Sequence, residues 1–240
     1  MSGHSKWKNI MHKKEKTDAA RAKIFTKIGK EISMAVKAGG PDPTSNSKLR
    51  DLIAKAKSNN VPSDNIDRII KKAASDDSAN YESIVYEGYG PNGIAIIVEA
   101  ATDSRNRTSA NLRHYFDKFG GNLGTTGCVS FMFKDKGTII IESEGVDEEK
   151  LMEDALNAGA EDISADEDIF EITTAPETLD EVRDALEKAG YSIASAEADK
   201  IPDSYMTLND EASITKMEKL LDMLDEDEDV NNVYHNWQND

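Results

Sequence analysis

The hydrophobic period of the chain changes once, near Tyr81, and that change limits the folds open to it. Before it, apolar residues recur at helical spacing. A first helix can start at Thr17 or Asp18, both suitable caps, and stops at Gly39-Gly40-Pro41. A second, SKLRDLIAKAKSNN, places Leu49, Leu52, Ile53 and Ala56 on one face. A third follows Pro62 with Ser63 as N-cap and repeats Ile66, Ile69, Ile70 and Ala73. Three amphipathic helices with short Gly, Pro and Asn connections predict a small bundle. The polar ASDDSAN that follows reads as a linker.

Beyond Tyr81 the runs are β-rich. SIVYEGYGPNGIAIIVEAA is two strands around a Gly-Pro-Asn-Gly turn. A helix from Ser104 to Phe119 closes at Gly120-Gly121, and CVSFMF reads as the next strand. From GTIIIES to YSIASAEA the pieces alternate as β, α, β, β, α, β, the split βαβ order of a ferredoxin-like domain. After Pro202, SYMTL, the helix ASITKMEKLLDMLDEDE and the strand DVNNVYHNW complete no domain alone. They supply the missing half of the 81–133 segment. The expected class is therefore α+β: an N-terminal three-helix bundle followed by two α+β (ferredoxin-like) domains, the third inserted in the second. The expected domains are 1–78, 79–133 plus 204–240, and 134–203.

Charge divides along the same line. The chain carries a formal charge of -17, yet residues 1–75 are net +10 and the rest net -27. Such asymmetry points to a polyanion-binding module on an acidic body, which confines any nucleic-acid contact to the basic surface. On the first helix Lys16, Lys23, Lys27, Lys30 and Lys37 share one stripe, opposite Ile24, Phe25, Ile28, Ile32, Ala35 and Val36. The stripe lacks the interleaved glutamates of a helix that is merely soluble, the arm before it adds Lys6, Lys8, Lys13 and Lys14, and Arg21 lies in the helix's first turn. Exposed lysines of this kind neutralise phosphates and can be reversed with little effect on the fold. Trp7, between Lys6 and Lys8, suits stacking on an unpaired base; anchoring the arm to the bundle is the alternative. A second basic cluster lies in TDSRNRTSANLRHYFDKFGG, where Arg107, His114 and Lys118 share a stripe, while Arg105 and Arg113 lie elsewhere on the helix, open to nucleic-acid contact or to ion pairs with the acidic surroundings.

Other functions find little support. Cys128 is the only cysteine, so no intrachain disulfide or thiol metal cluster forms, and a reducing compartment, the cytoplasm, is expected. Its apolar setting reads as a buried structural thiol. GGNLGTTG and GYGPNG lack the Lys-Ser/Thr of a P-loop, and the four histidines show no zinc spacing. The run DEDED at 225–229 reads as solvated surface or a cation site, with its charge opposing the helix dipole. No run is long and apolar enough for a membrane span. No enzymatic activity, cofactor, metal or small-molecule substrate is expected.

The ordered set GHSKWKNI, KIFTK, AGGPDPTSN, NNVPSDNI, YEGYGPNGIAI, TDSRNRT and GGNLG resembles the YebC/PmpR family of transcriptional regulators, in order from Gly3 to Phe133 and more loosely beyond. The resemblance implies a three-domain cytoplasmic protein that binds DNA and regulates transcription. The same family includes a mitochondrial translational activator and relatives linked to stalled ribosomes, so RNA or the ribosome is the alternative target. By position, the resemblance makes the Gly3–Trp7 opening, Lys13, Lys14, Arg21, Lys23 and Lys27 backbone contacts, with Arg105 and Arg107 a second patch. Glu15 interrupts the basic arm, and Ala22 stands where relatives carry glycine. The full candidate nucleic-acid-binding set is Lys6, Trp7, Lys8, His12, Lys13, Lys14, Arg21, Lys23, Lys27, Lys30, Arg105, Arg107, His114 and Lys118.

Overall fold

The computed structural model describes residues 18–75, 79–166 and 168–238. It is an α+β protein whose N-terminal region is three helices, α1 (Asp18–Gly39), α2 (Ser47–Ser58) and α3 (Ser63–Ala74). Their boundaries follow from local chemistry. The Asn46 side chain accepts a hydrogen bond from the Leu49 N–H and donates to the carbonyls of Ala35 and Gly40. One side chain thus caps α2 and ties down the end of α1. At α3 the cap position falls on Pro62, not Ser63, and no side chain caps the helix; Ser63 instead takes the first helical turn. The apolar faces meet in one core of Ile28, Ile32, Val36, Leu49, Leu52, Ala56, Val61, Ile66 and Ala73. Each large side chain buried there contributes roughly 1.5–3 kcal/mol.

The chain then forms β1 (Glu82–Tyr89), β2 (Ala95–Thr102), α4 (Arg105–Lys118) and β3 (Asn122–Leu123). The β1–β2 hairpin is in register from Glu82↔Thr102 to Tyr89↔Ala95. Its Pro91–Gly93 turn needs positive φ at Asn92 and Gly93, residues that tolerate it. Gly121 is required by contact: a Cβ there would stand 2.3 Å from the Tyr89 carbonyl oxygen. After a long excursion the chain returns with α7 (Glu211–Glu226) and β9 (Val230–His235), and β9 completes the sheet in the order β3-β1-β2-β9. Between come β4 (Phe133–Glu142), α5 (Glu148–Ala158), β5 (Asp162–Ala165), β6 (Ile169–Thr174), α6 (Leu179–Lys188) and β7 (Ile193–Pro202). They form an antiparallel sheet ordered β5-β6-β4-β7, the split βαβ arrangement. Its core gathers Ile139, Ile141, Leu151, Phe170, Ile172, Val182 and Leu186. The short strands β8 (Met206–Thr207) and β10 (Trp237–Gln238) pair in parallel.

Two compact units result. One holds the described part of Lys16–Ser130 with Asn209–Val233; the other holds Phe131–Leu208 with the described part of Tyr234–Asp240. The three helices and the first sheet therefore belong to a single unit.

The stretch CVSFMF is not a strand. Glu87, on β1 and only 3% exposed, accepts hydrogen bonds from the N–H groups of Gly127, Val129 and Ser130, each at 2.8 Å. A carboxylate satisfies these amides, so no ladder is needed, and the chain turns through Ser130–Met132 before β4 begins. Burial pushes the Glu87 carboxyl up, but the three N–H donors outweigh it and the group lies below its ordinary value. Cys128 in this loop is half-buried, and burial followed by the Glu87 charge pushes its thiol up.

Candidate nucleic-acid interface

Helix α1 brings Lys23, Lys27 and Lys30 to one face, and that face is only partly open to solvent. It meets the acidic end of α7 within the same unit. Lys30 Nζ lies 2.7 Å from Asp229 Oδ1 and 2.8 Å from the Glu228 carbonyl. Lys27 Nζ donates to the Asp225 carbonyl and lies 3.8 Å from its carboxylate. Lys23 Nζ stands 3.9 Å from Glu226. Lys37, in the last turn of α1, donates to the Ala79 carbonyl at 3.1 Å and to the Asn80 side chain. Side-chain exposure falls along the stripe from 39% at Lys23 to 13% at Lys27 and 10% at Lys30. DEDED is therefore not plain solvated surface: its residues answer the lysines, which compensate its unfavourable position at a helix C-terminus.

Asp229 is the centre of this contact. Its Oδ2 accepts from Arg107 at 2.7 Å, Thr108 at 2.8 Å and Thr102 at 3.2 Å, while Oδ1 takes Lys30. Its carbonyl accepts from the Ala101 N–H, and its own N–H donates to Asp227 Oδ1. Burial alone would raise this carboxyl; the hydrogen bonds from Lys30, Arg107 and Thr108 outweigh it and hold the group at about 2. Arg107 is pushed upward in turn by Asp229 and Asp103. Burial, then Asp227, pushes the Tyr115 hydroxyl up to about 12, and that hydroxyl donates to Asp227 at 3.0 Å. Beside the cluster lies a polar cleft of about 500 Å³ lined by Thr26, Lys30, Tyr81, Arg107, Asn111 and Asp227 among others, with Lys30 Nζ 5.6 Å from the Tyr81 ring centre.

The sequence-derived set is thus distributed unevenly. Lys6, Trp7, Lys8, His12, Lys13, Lys14 and Lys16 lie outside the described residues, as does the side chain of Arg21. Lys23, Lys27, Lys30 and Arg107 converge on residues 225–229. Arg105 pairs with Glu82 at 2.7 Å on the surface. His114 and Lys118 are exposed on α4, Lys118 over the Phe119 ring at 5.3 Å. Of the expected stripe, Arg107 is engaged by Asp229 and Asp103, while His114 and Lys118 stay exposed. Residues the sequence reading passed over include the exposed cations Lys48, Arg50 and Lys57 of α2 and Arg68, Lys71 and Lys72 of α3. Their outward position in each helix, opposite the apolar repeat, was the available signal. Among the described residues, no group of three or more His, Cys, Asp or Glu is placed to hold a metal ion, and no helix is long and apolar enough to cross a membrane.

A basic three-helix region joined to two four-stranded sheets, one βαββαβ and one completed by the returning chain, defines a class of α+β protein. Residues 5–76 match the TACO1/YebC protein N-terminal domain, and residues 81–237 match the TACO1/YebC second and third domain. The chain belongs to this family. A "Probable transcriptional regulatory protein" of Acetivibrio thermocellus is 61% identical over 239 residues, spanning 99% of each chain. Another of that name, from Agathobacter rectalis, is 58% identical over 99% of this chain and 100% of its own. The crystal structure of a conserved hypothetical protein from Aquifex aeolicus is similar at a TM-score of 0.85 and 45% identity, covering 93% of this chain and 92% of that one.

Proposed function

We propose that the chain is a non-enzymatic, cytoplasmic DNA-binding regulator of transcription that holds the phosphate backbone through its N-terminal basic segment and helical bundle. One observation carries the reading: residues 1–75 are net +10 in a chain of -17, and their apolar residues are used within their own core. The surface left to a partner is cationic. The basic arm, Arg21 and the outer α1 lysines Lys23 and Lys27 are the proposed contacts, with Lys30 held inside by Asp229 and with His114, Lys118 and the exposed side of Arg105 as a second patch. The name carried by the relatives supports the transcriptional term.

A second reading, a translation factor acting on RNA or the ribosome, is favoured by the state of the arginines. Arginine reads guanine edges best, yet Arg105 and Arg107 are engaged by Glu82 and by Asp103 and Asp229. Lysines that contact phosphate do not choose a sequence. The test is a competition series in one buffer with a selected duplex, random duplex, ribosomal RNA and intact ribosomes. A duplex preferred by about 10³-fold over random sequence supports promoter regulation. Ribosomes or ribosomal RNA binding as well as any duplex support the second reading. No binding at low salt rejects both.

A further inference from the structure

The acidic run at the end of α7 occupies the lysine stripe in the manner of a bound polyanion. We propose that Asp225 and Glu226 are an internal phosphate mimic that holds Lys23 and Lys27 until a nucleic acid displaces them, so the chain regulates its own access to phosphate. This inference rests on the nucleic-acid reading above and assigns a regulator to the same site.

Three features of the contact support it. The first is register: Lys23, Lys27 and Lys30 recur at i, i+4 and i+7, and each reaches an acidic residue of 225–229. The second is gradation. Lys30 and Asp229 are 10% and 6% exposed, an anchor that stays closed, whereas Lys27–Asp225 and Lys23–Glu226 have acid partners 55% and 67% exposed. Lys23–Glu226, exposed on both sides at 3.9 Å, is weak and exchanges with other anions; Lys27 is more enclosed and is held by the Asp225 carbonyl as well as by its carboxylate. The third is placement. Two carboxylates in the last turn of a helix oppose its dipole, so they gain nothing locally and depend on the lysines for compensation. Phosphate offers the lysines the same chemistry at higher charge density.

The consequence is quantitative. A lysine neutralised from within cannot add its full share to counterion release, so the salt dependence of binding understates the stripe. In Asp225→Asn/Glu226→Gln, Lys23 loses its carboxylate and is unlatched, while Lys27 loses its ion pair but keeps its hydrogen bond to the Asp225 carbonyl. Binding to a labelled random duplex and to a labelled single-stranded RNA should tighten roughly 3- to 30-fold. The duplex log–log salt slope should steepen by about 1 unit, near 0.9 for the one lysine, Lys23, that is fully released. The control is Glu218→Gln/Asp222→Asn, which removes the same charge from exposed positions earlier on α7. It should move both readings much less.

A second measurement needs no ligand: acetylation of lysine amines followed by mass spectrometry. Lys23 should react faster in the variant than in wild type, while Lys27, still bonded to the Asp225 carbonyl, changes less and Lys30 stays protected by Asp229. Equal tightening in variant and control, or unchanged lysine reactivity, overturns the latch while the nucleic-acid reading stands. If wild type and every variant fail to bind either probe at low salt, the nucleic-acid reading falls and the latch with it.

Discussion

Asp229 accepts a 2.7 Å hydrogen bond from the ammonium of Lys30, 199 residues earlier in the chain, and both side chains are buried. Arg107 and Thr108 bind the other carboxylate oxygen. The bundle, the start of α4 and the turn before β9 are therefore joined through one carboxylate. Such a pair contributes little net stability when whole, because desolvation offsets attraction, but it is costly to break.

Lys30→Glu should accordingly destabilise the protein by about 3 kcal/mol or more, since it sets two carboxylates face to face in a buried site. Lys23→Glu, at the exposed end of the stripe, should cost within about 1 kcal/mol. Urea unfolding of the two variants measures the difference. The expectation that the whole stripe can be reversed without touching the fold is thus corrected: it fails at Lys30 because Asp229 is there.

Two acid transitions should be separable. His235 is half-buried with its Nδ1 enclosed, and desolvation lowers it from its ordinary 6.5 to about 4. The unfolded chain takes up this proton first, so stability is full above pH 6.5 and declines as pH falls toward 4, by up to about 3 kcal/mol. Asp229, held at about 2 against an ordinary 3.8, contributes above pH 3.8 and is lost as pH falls from there toward 2. His235→Phe should flatten the upper window and leave the lower; Asp229→Asn should do the reverse. Denaturant midpoints taken across pH give both limbs, and a single unaltered limb in both variants would reject the assignment.

The element order was legible because it rests on local chemistry: the apolar repeat in α1, the Gly-Pro-Asn-Gly turn, and Asp147 capping α5 through the Lys150 N–H. The inserted sheet followed from the βαββαβ succession alone. What sequence could not supply was partnership across distance. The lysines of α1 and the acids of 225–229 are each visible as a charged run, and each by itself reads as facing solvent. Nothing local marks Asp229, rather than its neighbours, as the residue that meets Lys30 and Arg107. The Glu87 carboxylate likewise gives no sign that it would replace a ladder at CVSFMF, whose β propensity points the other way. Propensity yields there because three amides find a better acceptor.

Glu87→Gln should expose that substitution of roles. An amide presents only one oxygen to three N–H donors and turns its own NH₂ toward them, so stability should fall by about 2 kcal/mol. Removing the charge also lifts one cause of the raised Cys128 thiol. Cys128 should therefore react faster with a disulfide reagent in the variant, measured below the unfolding transition. A fall in stability with no change in thiol rate would place Glu87 outside the thiol's electrostatic reach.

The outward cations of α2 and α3 give the remaining test of how the bundle meets phosphate. Arg50 and Lys57 lie a helical repeat apart on α2, and Lys71 and Lys72 lie in the last turn of α3, where they also complement the helix dipole. Arg50 has only a 3.8 Å approach to Asp51, a pair too loose and too exposed to hold the guanidinium. Unlike Lys30, these side chains are exposed and can be reversed without opening the core. The variant Arg50→Glu/Lys57→Glu should keep the wild-type circular dichroism and weaken duplex binding. Its salt slope should flatten by about 2 units, near 0.9 for each phosphate no longer neutralised. Lys71→Glu/Lys72→Glu should melt slightly earlier because of the dipole, and its slope tells whether α3 also faces the ligand. Unchanged affinity in both variants would confine phosphate binding to the arm, the α1 stripe and the α4 patch, leaving α2 and α3 as scaffold.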